Sequence, residues 1–163
     1  MMRKLRIVAG SGQYLRIGVI ALAVVTLLAS GAQAQDPDRV DKVSRSSFAD
    51  TLKQLDSTLK AEHMMIVATI DHRNMLSMLG AKIKGATTVE FGKPDMGKML
   101  LPMNAAIGLE MPAKIYVYET SDGKVVVSYR RSAKQFATYG PEVAKAGEMM
   151  DMMFEQITSA VTK

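Results

Sequence analysis

An Asp-His pair is the first place in this sequence where side chains are spaced for chemistry. Asp71 and His72 directly follow residues 64–70, an apolar and β-branched run that predicts a strand buried on both faces. Polar groups at the end of such a strand become accessible. This imidazole is therefore placed to contact a ligand, to bind a metal or to accept a proton. A hydrogen bond that anchors the strand end is the simplest alternative.

Methionine is a second source of ligand chemistry. The chain has 14 methionines and no cysteine, which excludes disulfides, thiol catalysis and thiolate metal sites. Methionine ordinarily fills irregular gaps in a core, but its thioether is also a soft ligand that selects Cu(I). The sequence leaves open a copper- or haem-binding alternative, whose candidate ligands are His63, His72, Met75, Met149 and Met152.

The sequence has few of the residue combinations that are typical of catalytic sites. The chain has two histidines, without a closely spaced carboxylate pair beside them, and it has no glycine-rich phosphate loop. We therefore expect a protein that is not an enzyme.

The distribution of charge argues against a nucleic-acid partner. The formal net charge is +5, but four of the 21 basic residues and none of the 16 acidic residues lie in the first 34 positions. The rest of the chain is close to neutral, which predicts no nucleic-acid binding. Exposed tyrosines or methionines would favour homo-oligomers.

The N-terminus has the parts of an export signal. Basic residues precede a short apolar segment, residues 17–29, and Ala32-Gln33-Ala34 supplies a small-x-small cleavage site. The apolar segment is shorter than the roughly 20 residues that span a bilayer. We predict a signal peptide at residues 1–34, and after its cleavage a soluble periplasmic or secreted product without a stable membrane anchor.

The spacing of apolar residues predicts the helices and strands that hold these side chains. Residues 35–41 predict a flexible lead, and Ser46 or Ser47 predicts the N-cap of a helix with an apolar stripe. A second amphipathic helix begins at Pro141. Strands mixed with helices, without strict alternation, predict a single α+β domain. We expect an antiparallel-dominated sheet with the helices packed mainly on one face.

A hairpin is the clearest local signal. Residues 114–119 and 124–129 flank Asp122-Gly123, a pair typical of a two-residue turn. That turn would pair residues whose numbers sum to 245, placing Tyr116 opposite Tyr129. The predicted register gathers three tyrosines on one face of the hairpin: Tyr116, Tyr118 and Tyr129.

Several short segments, in this order and spacing, resemble the domain-of-unknown-function family numbered 302. They are Phe48 and Leu52 in the capped helix, Ile70-Asp71-His72, Phe91-Gly92-Lys93-Pro94, Leu109-Glu110-Met111-Pro112, Ile115-Tyr116-Val117-Tyr118-Glu119, Asp122-Gly123 and Val127-Ser128-Tyr129. Members of that family usually have Asn where Lys93 stands and Leu where Met111 stands. The resemblance implies a compact α+β domain, here residues 42–163, and no agreed activity.

The sequence as a whole predicts an exported, non-catalytic binding or accessory module with an unidentified ligand. Its candidate contacts combine the strand-end pair, the turn after the next strand and the tyrosine face: Asp71, His72, Phe91, Pro94, Tyr116, Tyr118 and Tyr129. The copper- or haem-binding protein remains the alternative.

Overall fold

The computed structural model describes residues 36–163, so the predicted signal peptide lies outside the described residues. The described part mixes strands with helices, without strict alternation. In chain order the elements are β1 (Arg39–Ser44), α1 (Phe48–Ala61), β2 (Met65–Asp71), α2 (His72–Ser77), β3 (Ala86–Gly92), α3 (Pro94–Met103), a 3-10 helix (Ala105–Glu110), β4 (Ala113–Glu119), β5 (Val125–Arg130), α4 (Ala133–Phe136), a second 3-10 helix (Ala137–Tyr139) and α5 (Pro141–Val161).

The strands form one five-stranded sheet in the order β1-β5-β4-β3-β2. Each neighbouring pair is antiparallel. The prediction of an α+β domain with an antiparallel sheet is therefore confirmed.

Helices α1 and α5 cover one face of this sheet. Leu55 and Leu59 of α1 and Ile157 of α5 are fully buried, as are Ile115 and Val117 of β4. Each helix has apolar residues at helical spacing, and such a stripe must be covered to be stable. These stripes and the core face of the sheet form one hydrophobic core.

The N-terminal cap of α1 is the predicted one. Ser47 Oγ accepts a hydrogen bond from the backbone N–H of Asp50 at 3.2 Å, which satisfies a donor that a helix start leaves free. Beside it, Thr51 and Ser44 share a buried hydrogen bond of 2.8 Å that joins the helix to the end of β1.

Strand β1 begins earlier than the sequence indicates. Arg39 to Asp41 pair with β5, so the lead predicted for residues 35–41 is partly inside the sheet. The burial pattern of β1 alternates between exposed and half-buried residues. Such an edge strand is polar on one face, and polar residues also favour the prediction of a flexible lead.

Strand β2 is an edge strand rather than one buried on both faces. It is the last strand in the sheet order, and Met65 and Val67 are each 54% exposed. An apolar run alone does not distinguish a central strand from an edge strand, because the position is decided by the partners that the fold provides.

The predicted register of the β4–β5 hairpin is wrong by one residue. Tyr116 lies opposite Ser128 and Tyr118 opposite Val126, because the turn has three residues, Ser121 to Gly123, instead of two. Gly123 takes the left-handed conformation, with φ +85°, that closes a three-residue turn. A shift of one residue reverses the face of a strand, so Tyr129 faces the core and away from Tyr116.

In residues 36–163, no helix has the length and apolar character needed to cross a membrane.

Candidate functional site

A cavity of about 290 Å³ opens where β2 begins and β3 ends. Its walls come from these two strands, from α3, from the segment before β4 and from α5. The lining residues are Met64, Met65, Val67, Phe91, Gly92, Lys93, Pro94, Met96, Gly97, Glu110, Met111, Pro112, Ala113, Met150 and Met153. We call this cavity the methionine pocket, because six of its lining residues are methionines.

The antiparallel pairing of β2 with β3 assembles the pocket. Met65 is paired with Gly92, so the start of β2 lies beside the end of β3. Pro94 then begins α3, where a proline at the first helical position costs no hydrogen bond. Helix α3 carries Met96 and Gly97 to the cavity, and α5 contributes Met150 and Met153.

The six methionines differ in exposure. Met64 and Met150 are buried, with 7% and 9% of their surface accessible, whereas Met65 is 54% exposed. The remaining three, Met96, Met111 and Met153, are half-buried. The thioethers therefore extend from the core to the surface around one cavity.

Two ionisable side chains line the methionine pocket, Lys93 and Glu110. Lys93 is exposed. Glu110 accepts a hydrogen bond of 2.8 Å from the Tyr139 hydroxyl, and this bond raises the pKa of Tyr139. The carboxylate is thus already engaged, and the rest of the wall is apolar apart from backbone.

The Asp-His pair lies elsewhere, at the far end of β2. Asp71 is the N-cap of α2, where its carboxylate accepts the backbone N–H of Asn74 at 2.9 Å. His72 Nε2 shares a hydrogen bond of 2.8 Å with Thr88 Oγ1, and its ring meets the Tyr116 ring edge-on at 5.9 Å. Both side chains therefore make contacts that help to hold the strand end in place.

Tyr116 and Tyr118 continue this row across the sheet face opposite the core. Their rings stack at 5.0 Å, and the Tyr118 hydroxyl accepts a hydrogen bond of 3.0 Å from Arg39. Partial burial raises the pKa of Tyr116. Arg39 in turn donates to Asp41 at 2.9 Å and to Ser128 at 3.2 Å.

A second hollow, of about 530 Å³, lies next to this row and is more polar. Its lining includes Arg39, Lys114, Tyr116 and Arg130. Arg39 is paired with Asp41, and Arg130 is paired with Asp36. Because both guanidinium groups have partners, this hollow offers a ligand less unpaired charge than its composition indicates.

The predicted ligand contacts do not form one site. Phe91 and Pro94 line the methionine pocket, whereas Asp71, His72, Tyr116 and Tyr118 lie at the opposite face or strand end. Tyr129 is buried in the core, stacked on Phe154 at 4.8 Å. Its hydroxyl donates to Glu155 at 3.2 Å, and burial raises its pKa to about 12.

The predicted metal ligands are also separated. His63 precedes β2 and His72 follows it. The strand between them has seven residues and is roughly 23 Å long. No metal ion can bridge that distance. Met75, Met149 and Met152 are each at least half exposed. Within residues 36–163, no three His, Cys, Asp or Glu side chains are grouped to hold a metal.

Most of the residues that converge are not indicated by the sequence. Met150 and Met153 lie in the helix that begins at Pro141, and Met64 begins the apolar run of residues 64–70, where methionine ordinarily fills the core. A signal was present in the unusual number of methionines. Nothing in their spacing showed that Met64, Met96, Met111 and Met150 meet, because they come from distant parts of the chain.

The fold is similar to that of a solved structure. The crystal structure of an uncharacterized conserved DUF302 protein from Bacillus stearothermophilus matches this chain with a TM-score of 0.67 and 14% sequence identity. The match covers 77% of this chain and 96% of that one. At this identity the likeness concerns the fold alone.

Two curated relatives from Brucella show sequence similarity over part of their length. The fluoride-specific ion channel FluC 1 of Brucella suis biovar 1 is 28% identical over 90 residues, which is 55% of this chain and 35% of the relative. FluC 2 of Brucella melitensis biotype 1 is also 28% identical over 90 residues, 33% of its length. This chain therefore spans about a third of the curated relatives that it matches.

The family comparison covers most of the described fold. The model of the family described as "Domain of unknown function DUF302" matches residues 40–160, from β1 to the last turn of α5. The chain belongs to the DUF302 family.

Proposed function

We propose that this protein is a non-catalytic binding module whose ligand enters the methionine pocket. The observation that supports this most directly is an accessible cavity of about 290 Å³ with an almost entirely apolar wall. Ligand sites are concave and mostly apolar. Methionine suits this role because its flexible, polarizable side chain adapts to different ligand shapes.

The chemistry of the pocket wall favours binding over catalysis. Of the residues that line it, Lys93 and Glu110 are the ionisable ones, and Glu110 is hydrogen-bonded to Tyr139. General acid-base or nucleophilic catalysis needs paired groups within hydrogen-bond reach of a reacting atom. A wall of thioethers and methylenes instead selects apolar or soft ligands.

An accessory role is part of the proposal. The Brucella relatives are named as fluoride-specific ion channels, and about a third of their length corresponds to this chain. A domain that recurs in part of longer proteins is suited to assist another activity. We propose that this module acts together with a partner protein and does not carry out an activity alone.

Location and association are proposed from the sequence and the surface. The export signal predicted in residues 1–34 supports a soluble protein of the periplasm or cell exterior. Apolar side chains on the surface, among them Val43 at 56% exposure and Leu79 at 83%, support self-association, which sedimentation of the purified protein tests. Nucleic acid is not among the proposed partners, because the chain after residue 34 is nearly neutral.

Binding of an uncharged fluorescent naphthylamine probe tests the proposal, and Gly97 offers the blocking variant. Gly97 lines the pocket, and a Cβ atom there would meet nothing within 4 Å. We expect Gly97→Leu to fill the cavity and abolish probe fluorescence, while Gly97→Ala, which adds one methyl group, retains most of it. Equal fluorescence for the native protein and Gly97→Leu would show that the probe binds elsewhere and would contradict the proposal.

The copper or haem alternative is not proposed with its predicted ligands. His63 and His72 lie at opposite ends of β2, and neither lines the methionine pocket. A haem held by histidine therefore has no site among the pocket residues described.

A further inference from the structure

We propose that the methionine pocket binds a soft monovalent metal ion of the Cu(I) class through thioether sulfur atoms. This inference rests on the proposed function, because it names the ligand of the same pocket. It differs from the sequence-based alternative in every ligand, since the converging methionines are Met64, Met65, Met96, Met111, Met150 and Met153.

The first argument is the convergence itself. Met64 and Met65 come from the start of β2, Met96 from α3, Met111 from the segment before β4, and Met150 and Met153 from α5. Soft thioether ligands select Cu(I) over harder ions. A metal would need a subset of these six side chains, and their flexibility allows the sulfur atoms to turn toward a common centre.

The second argument is that these methionines surround an unfilled space. A methionine that serves as core filler closes the gap that it lines. Here, by contrast, a cavity of about 290 Å³ remains between them. Met64 and Met150 belong to the core, and Met96, Met111 and Met153 pack against it. All five also line, together with Met65, a cavity that stays open.

The charges at the pocket are compatible with one positive ion. Burying a charge in an apolar site is unfavourable unless it is compensated. Glu110 supplies a carboxylate at the wall, fixed by its hydrogen bond of 2.8 Å to Tyr139. The positive charge of Lys93 would repel such an ion, but this side chain is exposed and water screens its charge.

The donor set also predicts selectivity. Borderline ions such as Zn²⁺ prefer imidazole, thiolate and carboxylate ligands. Of these ligand types the pocket-lining residues supply one carboxylate, that of Glu110, and no imidazole or thiolate. We therefore expect Cu(I) and its redox-inert analogue Ag(I) to bind, and Zn²⁺ not to compete with them.

Two double variants on the same helix provide the test. Met150→Leu with Met153→Leu removes two sulfur atoms from the pocket, whereas Met149→Leu with Met152→Leu removes two from the outside of α5, where these residues are 50% and 66% exposed. Leucine nearly conserves the volume of methionine, so cores tolerate the exchange. Circular dichroism verifies that each variant is folded, and Met65→Leu, at an exposed position, is the fallback pocket variant if the first is not.

Affinity is measured without oxygen, with copper kept as Cu(I) by ascorbate and the chelator bicinchoninate as competitor. We expect stoichiometric binding by the native protein, a loss of about tenfold or more in the pocket variant, and no change in the outer variant. A double His63→Ala, His72→Ala change should also leave the affinity unchanged.

Three results would overturn the inference: no Cu(I) binding by the native protein, equal binding by the pocket and outer variants, or loss of binding in the histidine variant. The naphthylamine probe separates this failure from failure of the proposed function. A pocket that takes the probe but no metal would still be a binding site for apolar ligands, whereas a pocket that takes neither would contradict both proposals.

Discussion

Tyr129 illustrates how the position of one residue depends on the turn beside it. The type of residue favours a strand, and its neighbours favour a hairpin, but the three-residue turn directs its ring into the core. There it stacks on Phe154, and its hydroxyl reaches Glu155. At the residue scale Tyr129 is therefore a core residue with one satisfied hydrogen bond.

Substitutions of Tyr129 should separate these two contributions. We expect Tyr129→Ala to lower the free energy of unfolding by about 3–5 kcal/mol, because it leaves a cavity in the core. Tyr129→Phe retains the stacked ring, and Glu155 keeps its bonds to Lys42 and Ser159, so the loss should be about 1 kcal/mol. Urea unfolding at neutral pH measures both, and equal losses would contradict the role assigned to the ring.

The same residue predicts how stability changes at high pH. Burial raises the pKa of Tyr129 from 10.0 to about 12, so the folded state favours the neutral phenol. Its contribution is fully present below the unfolded pKa of 10 and is lost as the pH rises toward 12. Unfolding curves measured across this pH range should show the loss of stability in the native protein. In Tyr129→Phe, the part of this loss that comes from ionisation of Tyr129 should be absent.

Two helical glycines show how the packing of an element decides the effect of one methyl group. Gly97 lies in α3, where a Cβ atom meets nothing within 4 Å. Gly147 lies in α5, where a Cβ atom would approach Phe136 Cβ to 2.7 Å and Ala133 Cα to 2.8 Å. The absence of a side chain at Gly147 therefore lets α5 pack closely against α4.

Replacing each of these glycines by alanine should have opposite effects on stability. Gly97→Ala removes the backbone entropy cost of glycine in a helix and should raise the free energy of unfolding by about 0.5–1 kcal/mol. Gly147→Ala forces apart two packed elements and should lower it by about 1–3 kcal/mol. Thermal unfolding of the two variants provides the comparison, and a shift of the same sign in both would refute the packing argument.

At the scale of the whole molecule, one side of the sheet carries the hydrophobic core and the methionine pocket lies at one end of it. Helices α1 and α5 cover this side. The opposite face carries a row of side chains in contact: His72 meets Tyr116 edge-on, Tyr116 stacks on Tyr118, and Tyr118 accepts a hydrogen bond from Arg39. The core face of the sheet thus stabilises the domain and carries the pocket for the proposed ligand. The opposite face presents polar groups at the surface.

The chain as a whole should be processed on export. We expect cleavage after Ala34, because the small-x-small site follows an apolar segment too short to span a bilayer. N-terminal sequencing of the periplasmic or secreted product should then begin at Gln35. Recovery of an intact Met1 in the membrane fraction would mean that the apolar segment is an anchor.

Local patterns in the sequence are enough to predict the class of fold and most of its elements. The stripes of α1 and α5, the Ser47 cap and the hairpin are local signals, because helical periodicity, capping and turn chemistry act over a few residues. The Asp-His pair at the end of β2 was likewise visible, since Asp71 bonds to the backbone of Asn74, three residues later.

The strand register, the edge strands and the composition of the pocket depend instead on contacts between distant parts of the chain. The Asp122-Gly123 pair fits a turn of two residues and, with Gly123 in the left-handed conformation, also a turn of three. The choice between them moves Tyr129 to the other face. The edge position of β2 depends on which strands pair with it. The methionine pocket combines residues between Met64 and Met153. Contacts over such separations result from packing of the whole chain, which no local pattern encodes.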